Sequence, residues 1–209
     1  EAPPIVQSIV DARRRAEATK RKHDQITWQE KLDAFKMMGY TPTAKQLEIS
    51  KDTHQVRVVR AGRRSGKTLH AAHEAAAVML KKPGSFGWVV GPYFDTTYRC
   101  WAMMVEELDK LARQKKIKYL VRSSTPSNMR IVLDNGSVAE GKSAMQGDSL
   151  QGVGLDWLVM DEIAQIEGWV FLEIIFPAMV QQQGWAILIG TPLGESWATR
   201  AYHEAKLRY

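Results

Sequence analysis

Cysteine is almost absent: Cys100 is the only one in 209 residues. A lone thiol excludes an intramolecular disulfide and a cysteine-based metal site, and it suits a reducing cytosol. No apolar run approaches the ~18 residues that cross a bilayer. The N-terminus carries no signal-peptide pattern, so the expectation is a soluble, intracellular protein. No internal repeat is visible. Acidic residues are the minority among the charges, 23 against 29 Lys and Arg. The resulting net charge of +6 leans toward a polyanionic partner without establishing one. A hydrophobic fraction of 44% and a charged fraction of 25% are ordinary for a globular chain, and the length makes one large domain or two small ones.

The most informative stretch is 56–72. Apolar residues at 56–59, interrupted by Arg57, lead into Ala61-Gly62-Arg63-Arg64-Ser65-Gly66-Lys67-Thr68, and a run of helix formers follows. Strand, glycine-containing loop and helix are the setting in which a phosphate-binding loop works. Gly62 and Gly66 let the backbone curl so that its N–H groups face phosphate oxygens, and the helix N-terminus adds partial positive charge. Lys67 is placed to reach the β- and γ-phosphates, and the Thr68 hydroxyl to sit on Mg²⁺. Ala61 stands where such loops usually carry their first glycine.

Elsewhere the pattern alternates strand and helix. Residues 5–38 read as a strongly charged helical lead-in with a basic cluster at 13–22, either a solvated face or a contact for DNA or an acidic partner. Thr41-Pro42-Thr43 opens a short helix that carries Gln46. Residues 86–92 form a buried strand, 96–111 a covering helix with Trp101, Met104, Val105, Leu108 and Leu111 at core spacing, and 119–121 and 130–133 further strands. Asn135-Gly136 is a hairpin signal between 129–133 and 137–140. Residues 141–154 read as a polar loop, 157–160 and 185–189 as strands, and 169–180 as the helix between them. Such alternation predicts a mainly parallel sheet with helices on both faces.

Apolar residues 158–160 end in Asp161-Glu162. Adjacent carboxylates at a strand end divide the labour: Asp161 holds Mg²⁺ and Glu162 polarises the water that attacks the γ-phosphate. A slow nucleotide switch has no need of the second carboxylate, so the pair favours an NTPase. After the last strand, Gly190-Thr191-Pro192 reads equally as a sensor of the γ-phosphate or as an ordinary turn. Arg63 is either a cis-acting charge over the γ-phosphate or a solvent-exposed arginine. Gln46 reads as an adenine-pairing amide or as a surface residue.

In this order the residues resemble the ATPase domain of the large terminase subunit of tailed bacteriophages. The resemblance runs from Gly39 to Tyr202. It includes Gly39-Tyr40-Thr41-Pro42 with Gln46, the loop at 62–68, Gly87-Trp88-Val89-Val90 before Pro92, Lys142-Ser143-Ala144, Leu155-Asp156 before Asp161-Glu162, and Trp185-Ala186-Ile187 leading to Thr191-Pro192 and Gly194. It implies a RecA-like P-loop α/β fold of the ASCE class over 39–209, preceded by the lead-in at 1–38. It also implies ATP and Mg²⁺ as cofactors, and hydrolysis that drives double-stranded DNA into a procapsid. The expected partners are a portal protein, a small terminase subunit and further copies of the chain in a ring. The expected place is the cytoplasm of an infected bacterium. Gln46 would read adenine, Arg63 would act in cis, and Gly190, Thr191 and Pro192 would couple hydrolysis to movement. The nuclease domain of the full-length family proteins is not represented in these residues. Rival readings are a helicase or translocase and an ATP-dependent binding switch. The expected DNA contacts are Lys115, Lys116, Lys118, Arg122 and Arg130. Relatives often carry Arg-Gly where this chain has Gln151-Gly152, so a trans-acting finger is expected from Arg122 or Arg130, with Arg99 in reserve.

Overall fold

The computed structural model describes residues 26–146, 150 and 153–206. The basic cluster at 13–22 and the Gln151-Gly152 pair lie outside the described residues. The first helix, α1 (Trp28–Met38), starts on a reciprocal cap: Glu30 N donates to the Thr27 hydroxyl at 3.2 Å, and Thr27 N donates to the Glu30 carboxylate at 2.7 Å. It stops at Gly39, whose φ of 69° only glycine adopts freely. Thr43 and Gln46 repeat the same cap on α2 (Ala44–Lys51).

The chain then runs β1 (Val56–Arg60), α3 (Lys67–Lys81), β2 (Phe86–Gly91), α4 (Phe94–Arg113), β3 (Tyr119–Thr125), β4 (Asn128–Leu133), β5 (Val138–Ser143) and β6 (Trp157–Met160). After β6 come a 3₁₀ turn (Ile163–Gln165), a π-helix (Val170–Ile175), α5 (Phe176–Gln182), β7 (Trp185–Gly190) and α6 (Trp197–Lys206). The sheet has seven strands in the order β1-β7-β6-β2-β5-β4-β3. From β1 to β5 the pairs are parallel; β4 and β3 add an antiparallel margin through the expected Asn135-Gly136 turn.

Alternation along the central strands divides the interior. Val89, Trp157, Val159, Trp185, Ile187 and Ile189 face α1, α3 and α4, where Phe35, Trp101, Met104 and Leu108 meet them. Trp88, Val90, Leu158, Met160, Ala186 and Leu188 face the opposite way, toward Phe171, Ile175 and Met179. Helices therefore cover both faces, as the strand–helix alternation predicts. Gly87 is paired with Trp157 across β2 and β6, and the indole occupies the space where a Cβ would stand.

Two expectations are corrected. The polar loop at 141–154 is too long: Gly141, Lys142 and Ser143 continue β5 beside β2. Their inward positions are Gly141 and Ser143, so no apolar side chain marks the period, and Met129 fills the room left by Gly141. The helix at 169–180 is not uniform either. It is π-helical over Val170–Ile175 and α-helical from Phe176, with Pro177 in the first turn of α5. Proline has no N–H to give to a preceding carbonyl, and the wider turn lies just ahead of it.

Candidate nucleotide-binding site

Three neighbouring strands, β1, β7 and β6, end side by side, and each ends in a candidate segment. Residues 61–66 leave β1 and enter α3 through Gly66, whose φ of 78° is left-handed. Ala61 N donates to Gly190 O at 3.3 Å, which fastens the start of the loop to the end of β7. The Lys67 ammonium donates to Thr191 Oγ1 at 3.1 Å. The Thr68 hydroxyl donates to Asp161 Oδ2 at 2.9 Å. Sequence positions more than ninety apart thus meet in one place, with Pro192 exposed at the rim.

Asp161 is buried and accepts a further bond from Glu162 N at 2.7 Å. Burial raises its carboxyl above the usual range, while the Thr68 hydroxyl and the Glu162 N–H pull the other way. A hydroxyl and a carboxylate oxygen side by side suit Mg²⁺, a hard cation that takes few protein ligands and leaves its other positions to phosphate and water. A cation there would also offset the burial of Asp161. Thr68 and Asp161 therefore fit the ion expected of them.

Glu162 stands in the left-handed region, with φ 51° and ψ 45°. That conformation costs a non-glycine residue on the order of 1–3 kcal/mol. The half-buried Glu162 side chain has no hydrogen bond or ion pair among the described residues. Arg63, Arg64 and Ser65 are exposed at the mouth of the loop, and Arg64 has a φ of 63°.

Gln46 reaches the same loop from α2. Its Nε2 donates to Gly66 O at 3.3 Å, and its Oε1 accepts from Thr43 N at 2.8 Å. It is buried, so it is not a surface glutamine. The candidate DNA contacts lie at the opposite margin of the sheet from β1. Lys115, Lys116 and Lys118 are exposed in the connector before β3. Arg122 grips Asp109 with two bonds, at 3.0 and 2.8 Å, and Arg130 pairs with Glu140. Arg99 is exposed on α4.

Sequence reasoning missed a buried charged cluster directly behind the loop. Glu74 of α3 is fully buried and receives Lys31 Nζ at 2.9 Å, Arg57 Nη1 at 3.2 Å and Ser50 Oγ at 2.5 Å. Burial by itself would raise the Glu74 carboxyl, but Arg57 and Lys31 hold it below the ordinary range. His70 lies against the cluster, with Nε2 at 3.3 Å from Ser50 Oγ and Nδ1 at 3.1 Å from Tyr40 Oη. Burial pushes its pKa down to about 4. The cluster joins α1, α2 and β1 to the helix that begins at Lys67. Its sequence signals were Arg57 inside an apolar strand and Glu74 inside an alanine-rich helix.

No protein-family model matches the chain. The chain is similar to the large terminase subunit of Thermus virus P23-45, with 33% identity over 178 residues, covering 78% of this chain and 36% of that protein. It also superposes on the large terminase ATPase domain of Thermus phage P74-26 with a TM-score of 0.72 and 31% identity, covering 79% of this chain and 71% of that one. The chain belongs to the large terminase ATPase-domain family. Its sheet is accordingly the RecA-like α/β sheet of that family. A more distant large terminase, from a thermophilic bacteriophage and in complex with ATP-gamma-S, shares the fold at 14% identity, with a TM-score of 0.53 over 86% of this chain and 40% of that one. The chain spans about a third of the length of the curated terminase it matches, 36%. Among the described residues no helix is long and apolar enough to cross a membrane.

Proposed function

We propose that this domain hydrolyses ATP and that the hydrolysis powers movement of double-stranded DNA into a viral procapsid. The observation that carries the reading is the meeting of Lys67 with Thr191 and of Thr68 with Asp161 at the ends of three adjacent strands. The family membership supports the same reading, and the more distant terminase of this fold was solved with ATP-gamma-S.

In this reading the loop at 61–68 wraps the phosphates, and Lys67 moves from Thr191 onto the β- and γ-phosphate oxygens. Mg²⁺, held by Thr68 and Asp161, would supply positive charge where phosphate charge develops. Glu162 accepts a hydrogen bond from the attacking water and turns its lone pair toward the γ-phosphorus. As the water oxygen bonds to that phosphorus, the phosphorus–bridging-oxygen bond breaks, the water's proton passes to Glu162 and on to a phosphate oxygen, and ADP and inorganic phosphate leave. Thr191, released by Lys67, is free to bond the γ-phosphate or the water, which gives the 190–192 turn a way to register the change. Arg63, exposed at the loop mouth, adds charge in cis. Gln46 faces the adenine. A portal protein, a small terminase subunit and a ring of identical chains complete the motor that this reading requires, in the cytoplasm of the infected host. Gln151 supplies no charge to a neighbouring site, so a trans-acting arginine in the ring falls to Arg122, Arg130 or Arg99.

The test is steady-state ATP turnover together with equilibrium binding of ATP-gamma-S. Lys67→Ala is expected to lose both. Glu162→Gln is expected to keep binding and lose turnover by two orders of magnitude or more, roughly the worth of a positioned base. Equal loss of binding in the two variants would overturn these roles, and absence of turnover in the unmodified protein would overturn the activity.

A further inference from the structure

The helix α6 carries no residue of the candidate site, yet segments leading from all three site strands run to it. Trp197, its first residue, donates its indole N–H to Ile166 O at 2.5 Å. The same ring stacks on Phe171, with centroids 6.0 Å apart and planes 20° from parallel. Between these contacts Gly168 passes so close that an added Cβ would stand 3.0 Å from the indole. Residues 166–171 are thus folded against one side chain. Upstream, Ile166 N and Gln165 N bond Ile163 O and Glu162 O at 3.2 and 2.9 Å, a continuous tether back to the left-handed Glu162.

Trp197 follows Thr191 closely in the chain, so the turn that accepts Lys67 and the turn that carries Glu162 share this anchor. Further along α6, Tyr202 and His203 meet Arg60, the last residue of β1 before the phosphate loop. The guanidinium lies 5.2 Å from the Tyr202 ring centroid and 3.5 Å from His203 Nε2.

We propose that Trp197 is a positioning residue for Glu162. It holds the 163–171 segment so that the strained Glu162 backbone keeps its carboxylate turned toward the γ-phosphate position, and it ties that direction to the Thr191 turn. The proposal rests on the ATPase reading for its catalytic consequence and on the packing alone for its structural one. A positioning role differs from simple core filling because the indole N–H satisfies a carbonyl in the Glu162 segment itself. Phenylalanine keeps an aromatic ring to stack on Phe171 and removes that bond, together with the volume of the second ring, so the kcat-against-affinity split and the exchange at 165–166 distinguish positioning from lost packing.

The experiment uses Trp197→Phe in the full 209-residue chain, alone and combined with Glu162→Gln. Expected is a fall in kcat on the order of 10- to 100-fold, with ATP-gamma-S affinity changed less than about twofold and no further fall in the Glu162→Gln background. Amide exchange of the peptide containing Gln165 and Ile166 should become faster while β6 stays protected. An equal fall in both backgrounds, an affinity loss as large as the kcat loss, or unchanged kcat would overturn the proposal. If Trp197→Phe does not fold, Gly168→Ala, which drives a methyl group into the indole, is held to the same outcomes. If the unmodified protein shows no turnover, the ATPase reading fails, and exchange alone then decides the anchoring: faster at 165–166 supports it, unchanged overturns it.

Discussion

Gln46 donates to the carbonyl of Gly66 while its own carbonyl caps α2 through Thr43 N. One side chain therefore fastens the start of α2 to Gly66, the residue that caps α3. Gln46→Ala should raise the ATP dissociation constant and narrow the preference for ATP over GTP. It should also cost about 1 kcal/mol of stability from the lost bond to Thr43 N. Gln46→Glu keeps an acceptor for Thr43 N but sets a buried carboxylate oxygen against the Gly66 carbonyl, so it should lose stability as well as the nucleotide preference. Nucleotide titrations and urea unfolding of both variants separate the two effects. An unchanged ATP-to-GTP ratio in both would remove adenine reading from Gln46.

Acid should loosen the fold through His70. Its pKa of about 4 lies below the ordinary 6.5 because burial disfavours the imidazolium, and Arg57, Lys31 and His73 oppose it further while Glu74 favours it. Between those values the unfolded chain binds a proton that the folded one refuses, so stability rises with pH across the window. The contribution is full above about 6.5, and on the order of 3 kcal/mol is lost as pH falls to about 4. Glu74, held below the carboxylate range, adds a loss of the same sign as pH falls through its folded value. Urea midpoints at pH 7, 5.5 and 4.5 should show the decline. His70→Gln should flatten the part above pH 5, and an unaltered slope would place the titration elsewhere.

Breaking the buried cluster should be costly. Glu74→Leu leaves Lys31 and Arg57 buried without their carboxylate, a loss of about 3–5 kcal/mol. Lys31→Met should cost less, since Arg57 and Ser50 remain on Glu74. Thermal or urea unfolding gives the order directly, and equal losses would show that Lys31 alone balances Glu74.

DNA affinity is expected to fall across all sequences when Lys115, Lys116 and Lys118 are changed to Glu, with a shallower salt dependence. Arg122→Glu and Arg130→Glu should act partly through folding, because each also breaks an existing pair with Asp109 or Glu140. Binding measured at several salt concentrations beside a melting curve distinguishes the two. Unchanged binding by the triple lysine variant would move the DNA face away from this connector.

The parts of the fold visible in the sequence were those written in apolar periods. The spans at 157–160 and 185–189 match β6 and β7 to within a residue, and the turn at Asn135-Gly136 stands where its type demands. The loop at 61–68 and the carboxylates at 161–162 could be singled out because each residue type is tied to a chemistry, and the structure brings the two together. The end of β5 was not legible, since its inward positions are Gly141 and Ser143. Nor was the Glu74 cluster, because Lys31, Ser50, Arg57, His70 and Glu74 come from four different elements and no single period contains them. The caps of α1 and α2 were present as Thr27 with Glu30 and Thr43 with Gln46, but a cap is recognisable only once the helix start is known. Trp197 carried no signal of its own in the sequence, because its partner Ile166 is 31 positions away.

The order of the strands also governs how the molecule is made. β1 and β2 leave the ribosome early, and the strands that fill the gap between them, β6 and β7, come much later. Val56 has no strand partner until Ala186 exists. The β5-β4-β3 meander can pair locally, and β2 can join it, but β1 must wait with an open edge. A nascent chain that has finished the loop at 61–68 consequently owns Lys67 and Thr68 without Thr191 or Asp161. β6 brings in Asp161 and β7 brings in Thr191, so the cluster around Lys67 and Thr68 is complete only when the middle of the sheet has been filled.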